Sequence, residues 1–317
     1  MRRRALLIAG PTASGKSAAA LMLARRFDAT IVNADSMQVY RDLRVLTARP
    51  SEADEAVAPH ALFGTVDGAI NHSVGLWLAD ARREAARVFA EGRPLLFVGG
   101  TGLYFRALTE GLSDIPEVPA PVRARIRAAA EGRPTPDLHA QLAKDDPETA
   151  SRLRPSDRQR VLRALEVFAA TGQPLAAFQG ARGAPFLETG EWAGLFLAPE
   201  RAALSAAIDA RFDAMLRAGA LDEAAALAAR RLDPALPVMR AHGVRPLIAH
   251  LAGRFSLEEA AARAKLETRQ YAKRQFTWAR HQMRGFEWVA PKAAVEAGAR
   301  ALAALAVNSR NDAASPW

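Results

Sequence analysis

An apolar run, Ala5-Leu-Leu-Ile-Ala9, is followed at once by Gly10-Pro-Thr-Ala-Ser-Gly15-Lys16-Ser17 and then by Ala- and Leu-rich helical spacing through residues 17–26. The order is strand, glycine loop, helix, and the loop fits G-x-x-x-x-G-K-[ST]. Its glycines let backbone N–H groups turn inward around a diphosphate. The helix N-terminus adds partial positive charge, and Lys16 neutralises the outer phosphate. The candidate diphosphate-binding residues are Gly10, Pro11, Thr12, Ala13, Ser14, Gly15, Lys16 and Ser17, with the Ser17 hydroxyl placed to coordinate Mg²⁺. A strand-to-helix unit of this kind needs parallel neighbours. Thr30-Ile-Val-Asn33 and Pro94-Leu-Leu-Phe-Val98 supply two, with helical spacing over residues 74–91 between them.

At 317 residues the chain exceeds one average domain. Residues 112–190 change character: Pro116, Pro119, Pro121, Pro134, Pro136, Pro147 and Pro155 punctuate short Arg-rich helical pieces with no strand pattern. Gly194-Leu-Phe-Leu-Ala198 reads as another buried strand, so the chain is expected to re-enter the sheet after a helical excursion. The expected division is a parallel α/β core at 1–112 and 193–317, with a helical insertion domain at 113–192. Beyond Arg201 the pattern is almost wholly helical, while residues 308–317 carry no periodic signal and are expected to lack structure.

The absence of cysteine excludes disulfides, thiolate zinc sites and cysteine nucleophiles. Met1-Arg-Arg-Arg before Ala5 imitates a secretory signal, but the apolar run ends at Pro11, short of the ~7–15 residues of a signal core. No stretch reaches the ~20 apolar residues of a membrane span. A soluble, cytoplasmic monomer is expected. The formal charge of +9, nearly all from arginine, suits a polyanionic partner such as nucleic acid if it clusters.

Asp35 lies just past the second strand, in Asn33-Ala-Asp-Ser-Met-Gln-Val-Tyr40. Ligands of an open parallel sheet bind beyond the carboxyl ends of its strands, so Asp35 and the Gly99-Gly-Thr-Gly102 loop should face the crevice that holds Lys16. Asp35 is a candidate base, with a turn-forming Asp as the plain alternative. The third strand runs into Gly99-Gly100-Thr101, where nucleotide-hydrolysing enzymes carry an Asp for Mg²⁺. That substitution counts against a hydrolysing motor or switch.

These blocks resemble the tRNA dimethylallyltransferase (isopentenyl diphosphate:tRNA transferase) family. Gly10 to Ser17 is similar to its phosphate loop, Ala34 to Tyr40 to its substrate-adenine loop and Gly99 to Tyr104 to its third signature. Asp146-Pro-Glu-Thr-Ala150, Asp157-Arg-Gln-Arg-Val-Leu-Arg-Ala-Leu-Glu166 and Thr268-Arg-Gln-Tyr-Ala-Lys-Arg-Gln-Phe-Thr-Trp278 follow in the family's order. The resemblance implies a P-loop NTPase-like α/β core with a helical insertion and a helical C-terminal part. It implies dimethylallyl diphosphate as donor and Asp35 as the base for an adenosine amine next to the anticodon. Thr101 and Arg240 would flank the leaving group. The adenosine would be met by Ser36, Met37, Gln38, Thr101 and Arg123, and the anticodon stem-loop by Gln159, Arg160, Val161, Leu162 and Arg163.

Two departures stand out. After Arg240 the chain reads Ala241-His242-Gly243-Val244, where the family usually has an apolar residue, Gly and Tyr, and Pro59-His60-Ala61 lacks its usual second histidine. Neither histidine has metal-ligand spacing, and both are expected to be structural. Projected as a helix, residues 257–284 place Leu257, Ala261, Ala264, Tyr271 and Trp278 on one stripe and Lys265, Arg269, Lys273, Arg280 and Arg284 on another. The second stripe, Arg269 and Lys273 above all, is a candidate tRNA face. The competing readings are a small P-loop kinase with the insertion as lid, a transferase acting on free adenine nucleotides, and a non-enzymatic RNA-binding protein.

Overall fold

The chain runs β1 (Ala5–Ala9), α1 (Lys16–Phe27), β2 (Thr30–Asn33), α2 (Glu52–Val57), β3 (His60–Ala61), α3 (Val74–Ala90), β4 (Leu95–Gly99) and α4 (Gly102–Glu110). It continues with α5 (Ala120–Ala129), α6 (Thr135–Asp145), α7 (Pro147–Arg152) and α8 (Arg158–Thr171). It ends with β5 (Trp192–Leu197), α9 (Arg201–Arg217), α10 (Ala220–Ala229), α11 (Val244–Leu251), α12 (Leu257–Gln282), β6 (Phe286–Val289) and α13 (Ala294–Asn311). The structure, a computed structural model, describes residues 4–180 and 182–311. Two compact units result, one of residues up to Thr109 and from Phe186 onward, the other Glu110–Pro185.

In the first unit six parallel strands form one sheet in the order β3-β2-β4-β1-β5-β6. Ala9 pairs with Gly99 and with Phe196, and Asn33 pairs with Val98, so the strands end in register and their following loops share one edge. β1 and β4 are buried on both faces, which is why they read as unbroken apolar runs. Leu6, Ile8, Leu96, Val98, Leu195 and Leu197 pack under Ala19, Ala20 and Leu23 of α1 and Ala294, Ala297 and Leu302 of α13. At ~25 cal/mol per Å² of apolar burial this layer dominates what fixes the β1-to-α1 loop in place.

Beyond Arg201 the chain is almost wholly helical as expected, and the strand β6 is the exception. Phe286-Glu-Trp-Val289 is only four residues long, exposes Glu287 and Trp288, and follows Gly285 at φ +86°, so it lacks the buried run that marks β1 and β4. The long helix stops at Gln282, two residues short of the expected 284. Residues 308–311 are helical, contrary to expectation; residues 312–317 lie outside the described ones. Among the described residues no helix is long and apolar enough to cross a membrane.

The second unit has its own core, with Val118, Leu138, Leu142, Val161, Leu165 and Val167 at its centre. The Asp146-Pro-Glu-Thr block is its fastener. Asp146 is fully buried; its Oδ1 accepts from Thr149 N–H at 2.9 Å and its Oδ2 from Leu175 N–H at 3.0 Å, while Thr149 Oγ1 accepts from Ala176 N–H at 3.0 Å. Buried Glu166 is neutralised by Arg127 at 2.8 Å.

Candidate active site

Three residues in the left-handed region shape the loop between β1 and α1: Gly10 (φ +155°), Ala13 (φ +61°) and Gly15 (φ +86°). A Cβ on Gly10 would stand 2.9 Å from the Leu197 carbonyl oxygen and 3.0 Å from Ser14 Oγ, so this turn admits glycine alone. α1 begins with no side-chain cap and no acid in its first turn. Its first N–H groups and its positive end therefore stay directed at the loop. Ser14 is 3% exposed, and its Oγ has no hydrogen-bond partner among the described residues. Lys16 curls back to donate from Nζ to Pro11 O at 2.5 Å. Burial pulls its pKa down to about 7; the Asp35 charge resists this and the Arg211 charge adds to it.

Buried Asn33 organises the turn after β2. Its Nδ2 donates to Asp35 O at 3.0 Å and Leu62 O at 3.1 Å, and its Oδ1 accepts from Asp35 N–H at 2.8 Å. Asp35 Oδ1 accepts from Met37 N–H at 2.9 Å, while Oδ2 faces Gly100, where a Cβ would lie 3.4 Å from it. The turn thus uses Oδ1 and leaves Oδ2 toward Gly100. Trp77 supports the turn through Nε1 to Asn33 O at 2.9 Å and stacks on Tyr104 at 3.9 Å.

The Gly99-Gly-Thr-Gly102 loop is glycine-rich because three neighbours crowd it. A Cβ would overlap the Ala34 carbonyl at Gly99, the Gln275 amide at Gly100 and the Trp278 ring at Gly102. Thr101 Oγ1 accepts from Ser36 N–H at 2.9 Å and donates to Ser36 Oγ at 3.2 Å. Gln275 Oε1 accepts from Thr12 N–H at 3.3 Å and its Nε2 donates to Gly100 O at 2.9 Å. One buried amide of α12 thereby ties the phosphate loop to the loop after β4.

Arg211 of α9 completes the charge cluster. Burial lowers its pKa and Asp35 opposes the drop. Burial and then Asp35 raise the pKa of Tyr271, with a hydrogen bond to Thr101 acting the other way. The His242 ring lies 4.7 Å from that of Tyr271, and burial, then Arg274, lower its pKa against the pull of Asp35. Beside this cluster opens a cavity of about 250 Å³, with Gly10, Gly100, Thr101, Tyr271 and Gln275 at its polar part and Leu103, Phe105, Phe196, Trp278 and Met283 at its apolar part. Cations, one carboxylate and an apolar hollow meet at one sheet edge.

The expected site residues divide. Gly10 to Ser17, Asp35, Ser36, Met37 and Thr101 converge here, with Ser17 exposed at the start of α1. Gln38 is committed: its Nε2 donates to Thr47 O at 2.8 Å and Ala48 O at 3.0 Å, so only its carbonyl oxygen remains to meet a base. Arg240 is exposed and donates to Ala235 O at 2.7 Å, and Arg211 stands beside Lys16 and Asp35. Sequence reasoning missed it, though Arg211 falls seven residues after Leu204 on the stripe of Leu204, Ile208 and Phe212 that α9 buries. Gln275 was missed as well. His60 bonds Ala58 O at 2.8 Å and meets Phe63 edge-on.

On α12, Lys265 pairs with Asp213 at 2.6 Å and Arg269 pairs with Asp209, both acids belonging to α9. Lys273 is exposed and has no salt-bridge partner among the described residues. In the second unit Val161 is fully buried and Leu162 packs on the same core. Gln159 and Arg160 are exposed, Arg163 is half-buried, and Arg123 donates to Val118 O at 3.3 Å.

This parallel sheet, with a P-loop sequence after its first strand, defines a P-loop NTPase-like α/β protein in which that loop adjoins an apolar cavity. Residues 38–282 match the family described as IPP transferase, and residues 3–57 match one described as isopentenyl transferase. Two relatives named tRNA dimethylallyltransferase, from Beijerinckia indica and a Methylobacterium species, are each 62% identical, covering 92% and 94% of this chain and 96% and 98% of their own. A full-length tRNA isopentenylpyrophosphate transferase from Bacillus halodurans superposes with a TM-score of 0.70 at 29% identity, over 98% of this chain and 99% of its own. A eukaryotic dimethylallyltransferase acting on tRNA gives 0.75 at 26%, over 91% and 74%. The chain belongs to the IPP transferase family.

Proposed function

We propose that the chain moves a dimethylallyl group from dimethylallyl diphosphate to the exocyclic N6 of the adenosine 3′ of the anticodon in tRNA, releasing diphosphate. One observation carries the reading: Lys16 and Arg211 share a crevice with Asp35, and an apolar cavity opens from the phosphate loop. The diphosphate lies on the N–H groups of residues 10–17, with Ser14 Oγ, an orphaned buried hydroxyl, donating to it. The prenyl group lies in the cavity. An amine stacked in an RNA loop cannot reach that depth, so the adenosine flips into the protein. As N6 forms its bond to the allylic carbon and the carbon–oxygen bond to diphosphate breaks, Asp35 Oδ2 takes the amine proton. Lys16, Arg211 and the loop amides stabilise the charge that grows on the leaving diphosphate.

Mg²⁺ fits the same place. Among the described residues no group of three or more His, Asp or Glu could hold a metal, but Mg²⁺ needs only one or two protein oxygens when substrate phosphates supply the rest, and exposed Ser17 offers one. When bound it would neutralise diphosphate charge. Arg123, Gln159, Arg160, Arg163 and Lys273 hold the anticodon stem-loop, and the protein works as a cytoplasmic monomer.

Purified protein with Mg²⁺, labelled dimethylallyl diphosphate and unmodified tRNA should yield label on one adenosine beside the anticodon. Phosphoryl transfer from γ-labelled ATP, or prenylation of free adenine nucleotides in preference to tRNA, overturns the proposal.

A further inference from the structure

The face that α12 buries consists of Ala260, Ala261, Ala264, Ala272, Gln275 and Ala279, one amide among alanines. A buried amide is costly unless its hydrogen bonds are met, and both ends of this one are. Oε1 accepts from Thr12 N–H at 3.3 Å and Nε2 donates to Gly100 O at 2.9 Å, so the side chain bridges the loop after β1 and the loop after β4.

The bridge ends beside the carboxylate. A Cβ on Gly100 would stand 2.2 Å from Gln275 Nε2 and 3.4 Å from Asp35 Oδ2, so the amide and that oxygen flank the same side of one glycine. The next residue carries the constraint onward. Thr101 N–H donates to Ala34 O at 3.2 Å and Thr101 Oγ1 accepts from Ser36 N–H at 2.9 Å, which grips the chain on both sides of Asp35. Tyr271, one turn earlier on α12, hydrogen-bonds Thr101 as well. Hydrogen bonds through Gln275, Gly100 and Thr101 thus run from the phosphate loop to the turn that holds Asp35.

We infer that Gln275 is a positioning residue: its amide fixes the distance between the phosphate loop and Asp35, and so between the leaving diphosphate and the base. The inference rests on the function proposed above. In that reaction Oδ2 has to meet the amine while the allylic carbon lies between N6 and the departing oxygen, and a misplacement of about 1 Å can cost on the order of a hundredfold in rate. Gln275 is uncharged and its two bonds go to main chain, so its loss should fall on the chemical step rather than on the hold of the diphosphate.

The test uses the full chain with dimethylallyl diphosphate, Mg²⁺ and unmodified tRNA, and compares it with Gln275→Met, which keeps the length of the side chain and loses both hydrogen bonds. Single-turnover rates at saturating substrates should fall roughly tenfold to a hundredfold, while the calorimetric Kd for dimethylallyl diphosphate moves by less than about threefold. In an Asp35→Asn background the same substitution should cost less than about threefold in rate, because residues that act as a unit are not additive. A Kd that weakens as much as the rate makes Gln275 a ligand of the diphosphate, and an equal rate loss with and without Asp35 makes the amide merely structural. Either result, or an unchanged rate, overturns the inference and leaves the proposed function standing. Gln275→Asn presents an amide one methylene short of the bridge, should lose rate in the same way, and carries the test if the methionine variant does not fold. A wild-type chain that transfers no dimethylallyl group overturns the proposed function and the inference together.

Discussion

The Asp35 charge acts on the ionisation of Lys16 across the crevice, and the sign of that effect can be measured. Burial brings Lys16 to about pH 7 in the folded chain against 10.5 for a free lysine. Between those values the unfolded chain holds a proton that the folded chain has released, so stability rises with pH across this window. Under the proposed function diphosphate affinity runs the other way, because it needs the ammonium. The Kd for dimethylallyl diphosphate should weaken above pH 7 by up to about tenfold per pH unit, and calorimetric titration from pH 7 to pH 9 checks it. Lys16→Met should bind poorly at every pH yet melt at a higher temperature, the usual stability cost of a functional charge being removed. Asp35→Asn should lower turnover by roughly 10²–10⁴ while the diphosphate still binds. Asp35 holds the Lys16 pKa up, so in this variant the weakening with pH should begin lower. Single-turnover rates at wild-type level would remove Asp35 from the chemistry.

Elements position these residues through contacts distant in sequence. Glu223 of α10 accepts from Arg44, Val45 and Leu46 N–H groups, the last two at 3.0 and 2.8 Å. Arg230, just past the helix, pairs with Asp42 and with Asp67 at 2.7 Å. α10 thus pins the stretch that follows Asp35. Glu223→Gln should cost about 2 kcal/mol, the scale of a charged hydrogen bond, and raise the KM for tRNA. Hydrogen exchange at Arg44, Val45 and Leu46 amides should quicken; unchanged protection there argues against the anchor. On α12, Lys273→Ala should reduce the salt dependence of tRNA binding by about one unit of slope. Arg269→Ala should reduce it less, since Asp209 already shares that charge. The phosphate loop and Asp35 were legible in the sequence because both follow local strand signals. Arg211, Gln275 and the acid partners of Lys265 and Arg269 were not. Each acts on a group far along the chain, and in Ala-rich helices periodicity fixes a face without saying what that face meets.

For the whole molecule, the helical insertion is a separable unit by the way its ends meet. Ser113 and Arg182 face each other in an antiparallel bridge, and Gly183 N–H donates to Leu112 O at 2.8 Å. The unit's own core, including the Asp146 fastener, closes without residues of the sheet. A short turn joining 113 to 182 should therefore cost little, because loop-closure entropy grows only with the logarithm of length. Such a variant should keep a cooperative melt and bind dimethylallyl diphosphate as the full chain does, since Gly10 to Ser17, Asp35, Arg211 and Gln275 all remain. It also loses Arg123, Arg160 and Arg163, and with them the counterion release of the phosphate contacts proposed for them. Its tRNA affinity near 0.1 M salt should fall on the order of tenfold or more, and filter binding across a salt series reads both the loss and the shallower slope. Full tRNA affinity in a folded variant would assign recognition to the sheet-bearing unit alone.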